Sequence, residues 1–519
     1  MLRFSLISIL FATSALLLPA EPGPLRFRIT LDPSVASGTQ SGRMLVFMTD
    51  RPQKAQTIQA GFSPTGNWLA AMEVTAIRPG QTIEFDPDIQ AYPVPLSKAP
   101  KGKLQFMALL DPDHSYAGNR QDEGDLYSEV LQVEVDPAHT EPIALLLSKK
   151  QGPRGKKLED TENIKLEEFE SKLLSAFWGR PIRIRAGVVL PPGYASPGNK
   201  TLYPAAYDIH GFGGTHATAW RVGPQIVKDI EAKKRAEIVH VYLDASFPTG
   251  HHVFADSVNN GPWGKALTEE FIPYLEKKYR LVAKPYARFV TGHSSGGWSS
   301  FWLQVAYPTF FGGTWSTAPD SVDFRSFTGI NATPGSTDNA YKRADGTDKN
   351  LVRSKGKELA SIEQFVKQEE VQGPVGGQMA SFDWVFSPKG PDGRPMRLFN
   401  RETGEQDAAV QKYWERYDIR LILERNWATL GPQLAGKLHL FCGSEDTFHL
   451  DEAFVMSCDF LKSKGREDAC LLVPGRDHGD LYRPHEQFYP DGLAMRIDKE
   501  MWASFQKGAG TAAPHKKTK

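Results

Sequence analysis

Arg288-Phe289-Val290-Thr291-Gly292-His293-Ser294-Ser295-Gly296-Gly297-Trp298 is the stretch that decides the fold. Its first four residues read as an apolar strand. Trp298 through Tyr307 suits a helix, and Pro308 ends it. Between the two, Gly292 and Gly296 stand two residues before and two after Ser294. A turn this sharp strains the backbone at its centre and needs small neighbours, so that strand and helix can approach. It lifts a serine hydroxyl to the rim of a sheet, and the helix N-terminus behind it favours developing negative charge. Ser294 alone sits in such a turn and is the candidate nucleophile.

Three further strand ends carry chemistry. The apolar strand ending at Ile209 runs into His210-Gly211-Phe212-Gly213-Gly214, a turn able to point backbone N–H groups into a site. Oxyanion donors in such an arrangement come from this loop and from the residue after the nucleophile. They are expected at Phe212, with Gly211 as the alternative, and at Ser295. The strand Leu438–Cys442 leads to Gly443-Ser444-Glu445-Asp446, where Asp446 is the candidate acid and Glu445 its rival. The strand Cys470–Val473 leads to Pro474-Gly475-Arg476-Asp477-His478, and His478 is the candidate base. All four signals fall at carboxyl ends of strands, where open α/β sheets bind ligands. Their order, Ser then acid then His, is the order of the α/β-hydrolase fold.

The pattern around these signals agrees. From 181 to 507, strand candidates at Ile182–Leu190, Ala205–Ile209, Ile238–Leu243, Phe289–Thr291, Gly313–Ser316, Leu438–Cys442 and Cys470–Val473 alternate with helix candidates. Near-continuous apolar strands mean helices on both faces of a doubly wound, mostly parallel sheet. Leu267, Phe271, Leu275 and Tyr279 form one helical stripe, interrupted by Pro273. Between about 320 and 435 the rhythm breaks, as in an inserted functional element. There Trp384, Phe386, Trp414 and Trp427 are candidates for a wall of the substrate site. The alternative is that they form the insertion's own core.

Residues 180–500 resemble the esterase D-like ("putative esterase") family of α/β-hydrolases. The resemblance rests on Val188-Val189-Leu190-Pro191-Pro192-Gly193-Tyr194, the His210–Gly214 loop, Asn260-Gly261-Pro262-Trp263-Gly264, Gly292–Gly297, Gly443–Asp446 and His478. It implies a Ser294/Asp446/His478 triad acting on a small-molecule or carbohydrate ester, without cofactor or metal. Gly211 and Trp263 fall in matching pieces and are expected beside the substrate. The same triad would serve a serine peptidase or an acyltransferase, and a catalytically inactive binding protein is the reading from another class.

At 519 residues, the chain has room for more than one domain of roughly 100–200 residues. Residues 24–150 read as an all-β, immunoglobulin-like sandwich of about seven strands. Period-two alternation is clearest at Leu25–Leu31, Leu104–Leu110 and Leu131–Val135. Residues 151–180 read as a polar linker with a helix over Leu166–Phe177, and 508–519 as a disordered tail. Lys plus Arg equals Asp plus Glu at 61 each, so nothing draws the chain to nucleic acid or to an anionic membrane. Arg3 followed by apolar Phe4–Leu18 resembles a secretory signal peptide over 1–20, implying export to the periplasm or beyond. No later stretch is apolar enough to span a bilayer. Export permits disulfides. Of Cys442, Cys458 and Cys470, the last two are the expected pair, a helix end meeting the next strand's start. Three buried thiols is the alternative.

Overall fold

A computed structural model describes residues 25–512 apart from 52–56, 59–66, 99–100, 115–122, 136–140, 154–156 and 374. The signal-peptide reading of residues 1–20 and the last residues of the tail lie outside the described residues. Eight strands form the central sheet. Numbered for this sheet alone, β1 is Ile164–Glu170, β2 Arg183–Val189, β3 Ala205–Ile209, β4 Val239–Leu243, β5 Arg288–His293, β6 Gly313–Thr317, β7 Leu438–Gly443 and β8 Cys470–Val473. Their spatial order is β1-β2-β4-β3-β5-β6-β7-β8. The first two pairings are antiparallel and the other five parallel. This is a mixed, mostly parallel α/β-hydrolase sheet. The chain moves outward from β3 to β4, then crosses back so that β5 pairs with β3's free edge. Open α/β sheets bind ligands beyond the carboxyl ends of strands at such a switch, here those of β3 and β5.

The reading of Leu166–Phe177 as one helix is corrected. Ile164–Glu170 is an edge strand, and only Lys172–Trp178 is helical. Most of β1 is half exposed, so its pairing with β2 rather than its side-chain pattern sets its conformation. Glu167 is buried on it and accepts from Tyr274 (2.8 Å), Lys278 and Tyr279. The tail is corrected too: the last helix runs Leu493–Ala512, and a Cβ on Gly508 would overlap the Tyr286 side chain. The stripe Leu267–Tyr279 is buried as expected. Pro273 lacks an N–H, and the turns before it, Ala266–Phe271, widen into a π-helix. Cys458 and Cys470 are bonded, and Cys442 is a buried free thiol.

The N-terminal region is all-β. Nine strands rather than seven join one continuous sheet. Inward residues from strands across that sheet, Phe27, Ile29, Val46, Phe106, Leu110 and Leu145, meet in one core, so the sheet curves around it. Strand Gln40–Thr49 is buried on both faces. Its outward Leu45 and Phe47 pack with Leu69, Tyr92, Met107, Leu109 and Val371. Val371 belongs to helix Ile362–Gln372 of the insertion.

The insertion holds a hairpin, Asn350–Ser354 with Lys357–Ser361, and helices Ile362–Gln372, Gln378–Phe386, Ala408–Trp414 and Ile419–Gln433. It is tied to the β region by Arg43, which is 3% exposed. This guanidinium donates to the carbonyls of Val371 (2.9 Å) and Glu370 (2.9 Å), to Gln90 (3.0 Å) and to Glu73 (2.6 Å). Hydrogen bonds to a buried charge are worth about 1.5–3 kcal/mol each. Arg43→Ala should therefore lower the thermal unfolding midpoint, with a loss on the order of 3 kcal/mol. An unchanged melting profile would show that the two regions stay joined without Arg43, through the apolar contact and the Gln90–Glu370 hydrogen bond.

Two of the four candidate wall aromatics turn out to be core. Phe386 and Trp414 are each 1% exposed. Phe386 packs at 5.0 Å on Trp298 of the helix that follows Ser294, and Tyr417 packs at 5.5 Å on Trp302 of the same helix. Trp427 meets Phe460 edge-on, and Trp384 lies among Arg394, Arg397 and Arg401 within the insertion. The expected aromatic wall is thus replaced by a core shared between the insertion and the nucleophile helix.

Candidate active site

Ser294 has φ 60° and ψ −124°, outside the range most side chains adopt, and stands between β5 and helix Ser295–Ala306. The neighbouring glycines make this possible. A Cβ on Gly296 would overlap the Ile209 carbonyl, and one on Gly292 would overlap the Gly296 carbonyl. Strand, turn and helix therefore meet closer than any larger residue permits. A Cβ on Gly211 would stand 3.1 Å from Ser294 Cβ, so the loop after β3 lies directly against the serine. The Ser295 amide opens its helix and has no intrahelical acceptor.

The acid and the base meet as expected. His478 Nδ1 lies 2.8 Å from Asp446 Oδ2. Asp446 is fully buried, and its Oδ1 accepts from the Phe448 amide at 2.9 Å and the Leu450 amide at 3.4 Å. Glu445 is exposed, which removes it as the rival. The His478 ring is held between Phe448, edge-on at 5.0 Å, and His293, tilted at 4.4 Å. His449, another histidine near the acid, lies 3.3 Å from Glu358 instead. Burial opposes charge on His478, but the charge and hydrogen bond of Asp446, with Asp320 and Asp477, carry its pKa above the ordinary imidazole value. Burial and the nearby His478 push His293 down to about 3, so it stays neutral.

A neutral His478 is required to take a proton. kcat/KM should therefore fall as pH drops through its pKa, and that limb should lie above the usual imidazole value of about 6.5. A pH series with a non-titrating ester measures it. A limb at or below the usual value would contradict the electrostatics described here.

No curated protein matches the chain. Among solved structures it is similar to a ferulic acid esterase, at 13% identity over 66% of this chain and 98% of that one, TM-score 0.40. It is also similar to a fluorophosphonate-binding serine hydrolase of Staphylococcus aureus, at 12% over 66% and 98%, TM-score 0.36. A third is an S-formylglutathione hydrolase from Agrobacterium tumefaciens, at 13% over 66% and 94%, TM-score 0.36. The family model described as "Putative esterase" matches residues 178–363, which contain the Ser294 turn. The sheet order and the Ser294 strand–turn–helix are those of the α/β-hydrolase fold.

Other parts of the chain differ from what the sequence implied. Trp263 is 2% exposed and stacks on His252 at 3.6 Å, with its Nε1 donating to the Asn260 carbonyl. It braces the core and has no surface for substrate, which corrects its expected role. Gly211 does lie at the site, as the close approach to Ser294 shows.

Several residues of the candidate site were not legible in the sequence. Asp244, just past β4, accepts from His216 Nδ1 at 2.7 Å and pairs with Arg185 at 3.1 Å. Burial raises its pKa, but His210, His216 and Arg185 draw it well below the usual carboxylate range. His210 Nε2 accepts from the Ala245 amide at 2.9 Å, and the His210 carbonyl accepts from His251 at 2.9 Å. The His210–Gly214 loop is thus fastened to the end of β4. Arg353, on the insertion hairpin, donates to the Asp446 carbonyl at 2.8 Å and to Asp451 at 2.7 Å. It ties the insertion to the acid loop. Asp320, just past β6, reaches both Ser294 and Ser295. An acid at a strand's carboxyl end was the signal that found Asp446, and the same rule applied to β6 would have found Asp320.

Proposed function

We propose that the chain is an exported serine esterase that hydrolyses carboxylic esters through an acyl-enzyme on Ser294. His478 takes the Ser294 proton as Oγ attacks the ester carbonyl, and Asp446 holds and stabilises the resulting imidazolium. The Phe212 and Ser295 amides receive the oxyanion; removing one such donor typically costs about 3 kcal/mol. The proton passes to the leaving alcohol, and water repeats the sequence on the acyl-serine. The route needs only these groups and water. The observation that carries it is the left-handed Ser294 turn lying against Gly211, with His478 paired to the buried Asp446 past the following strands.

We read the substrate as a small-molecule or carbohydrate ester, and the β region as an immunoglobulin-like module from its strand spacing. A panel of acyl esters of varied chain length, with acetylated and feruloylated sugars and matched amides, tests the reaction. Turnover of amides but not esters would overturn it. Export follows from the apolar N-terminus, and protein isolated from its source should lack about the first 20 residues. Soluble protein retaining Met1 would refute it.

A further inference from the structure

Asp320 is 4% exposed and bonded to the nucleophile turn three times. Its amide donates to the Ser294 carbonyl at 3.2 Å. Its Oδ1 accepts from Ser294 Oγ at 3.4 Å, and its Oδ2 from Ser295 Oγ at 2.5 Å. Among the described residues, no Lys or Arg pairs with it. Burying a carboxylate without a cation is costly, and an amide of the same shape could fill the same place. The positive charge available to it is the one the reaction creates on His478. β6 and β7 are adjacent, so Asp320 and Asp446 follow neighbouring strands, and both bear on that imidazole.

We propose that Asp320 is a second carboxylate of the reaction, a positioning residue that holds Ser294 and Ser295 between turnovers and stabilises the His478 imidazolium together with Asp446. The inference rests on Ser294 as nucleophile and His478 as its base. When Ser294 Oγ bonds to the ester carbon, its proton moves to His478 and the carbonyl electron pair moves to the oxygen. The hydrogen bond from Ser294 to Asp320 is given up in that step. Asp320 keeps the bond from Ser295 and its negative charge, and the proton goes on from His478 to the leaving alkoxide. Asp320 itself is never the proton acceptor.

The charged and titratable groups around the imidazole are Asp446 on its Nδ1 side, His293 against its face, Asp477 before it in the chain, and Asp320. Burial pushes Asp320 up to about 6, against the pull of the Ser295 hydroxyl and of His478. It is therefore charged at the neutral and alkaline pH where His478 acts as a base.

Asp320→Asn keeps the shape and removes the charge. kcat/KM at alkaline pH should fall about 10- to 100-fold, with KM for a small acetate ester little changed. The acid limb of kcat/KM should move down by about 0.5–1 pH unit, because a neighbouring negative charge no longer favours the imidazolium. Asp320→Glu should restore part of both. A limb that stays put in folded Asp320→Asn would reduce Asp320 to a structural brace and overturn the proposal. Should Asp320→Asn not fold, Asp446→Asn carries the test. With Asp320 present it should lose less than the roughly 10⁴-fold seen where one acid serves the histidine. A full loss of that size would overturn the proposal. Fluorophosphonate labelling of Ser294 in the unaltered enzyme, run alongside, separates failure of this inference from failure of the Ser294 reading.

Discussion

Ser294→Ala should lower kcat/KM for any accepted ester by about 10⁴- to 10⁶-fold while leaving the melting temperature near that of the unaltered chain. The loss is this large because the hydroxyl is the proposed bond-forming atom. Folding should survive because alanine keeps the Cβ already accommodated at φ 60°, and the flanking glycines still provide the close approach. What goes is one long hydrogen bond to Asp320 at 3.4 Å. Initial rates on a chromogenic acetate ester, with circular dichroism as the fold control, give the result. Turnover within about tenfold of the unaltered enzyme would mean the chemistry lies elsewhere.

His478→Ala should produce a loss of similar size, because an alcohol is not a competent nucleophile until a base receives its proton. The variant should fold. His478 is at the rim of the site, and Asp446 keeps its hydrogen bonds from the Phe448 and Leu450 amides. Without the imidazole, the Asp446 carboxylate loses its main charged partner and should titrate higher. Stability, but not activity, should then recover as pH falls and that carboxylate is neutralised. Near-normal rates in the variant would point to another base, although His449 is already bonded to Glu358.

The catalytic sheet was largely legible because its strands are buried on both faces and so read as apolar runs. β8 was read with its observed ends, and β6 and β7 within a residue of theirs. β1 was not legible. Leu166, Phe169, Leu173 and Phe177 have helical spacing, and the strand forms only because β2 offers it an edge. The extra turn at Gly508–Ala512 was missed for a related reason. Its residues are poor evidence for a helix, and packing against Tyr286 supplies what they lack.

In the site, residues fixed by local backbone demands could be read from the chain. Gly292, Gly296 and Gly211 are required by close approaches that a tight turn imposes. Ser294, Asp446 and His478 follow strands whose ends the sequence marks. Residues that act from outside the motifs could not be placed. Asp244 and Arg353 become part of the site only once the sheet order and the insertion's return path bring them to it. The insertion's aromatics illustrate the same limit. Their number signals an ordered element, but whether Phe386 and Trp414 face a ligand or Trp298 is decided by packing alone.

In the proposed reaction Ser294 carries the acyl group. Treating the enzyme with a fluorophosphonate and mapping the adduct by peptide mass spectrometry tests it directly. One adduct is expected, on Ser294, blocked by prior incubation with substrate and absent from Ser294→Ala. Stoichiometric labelling at another residue, or unchanged labelling of Ser294→Ala, would contradict it.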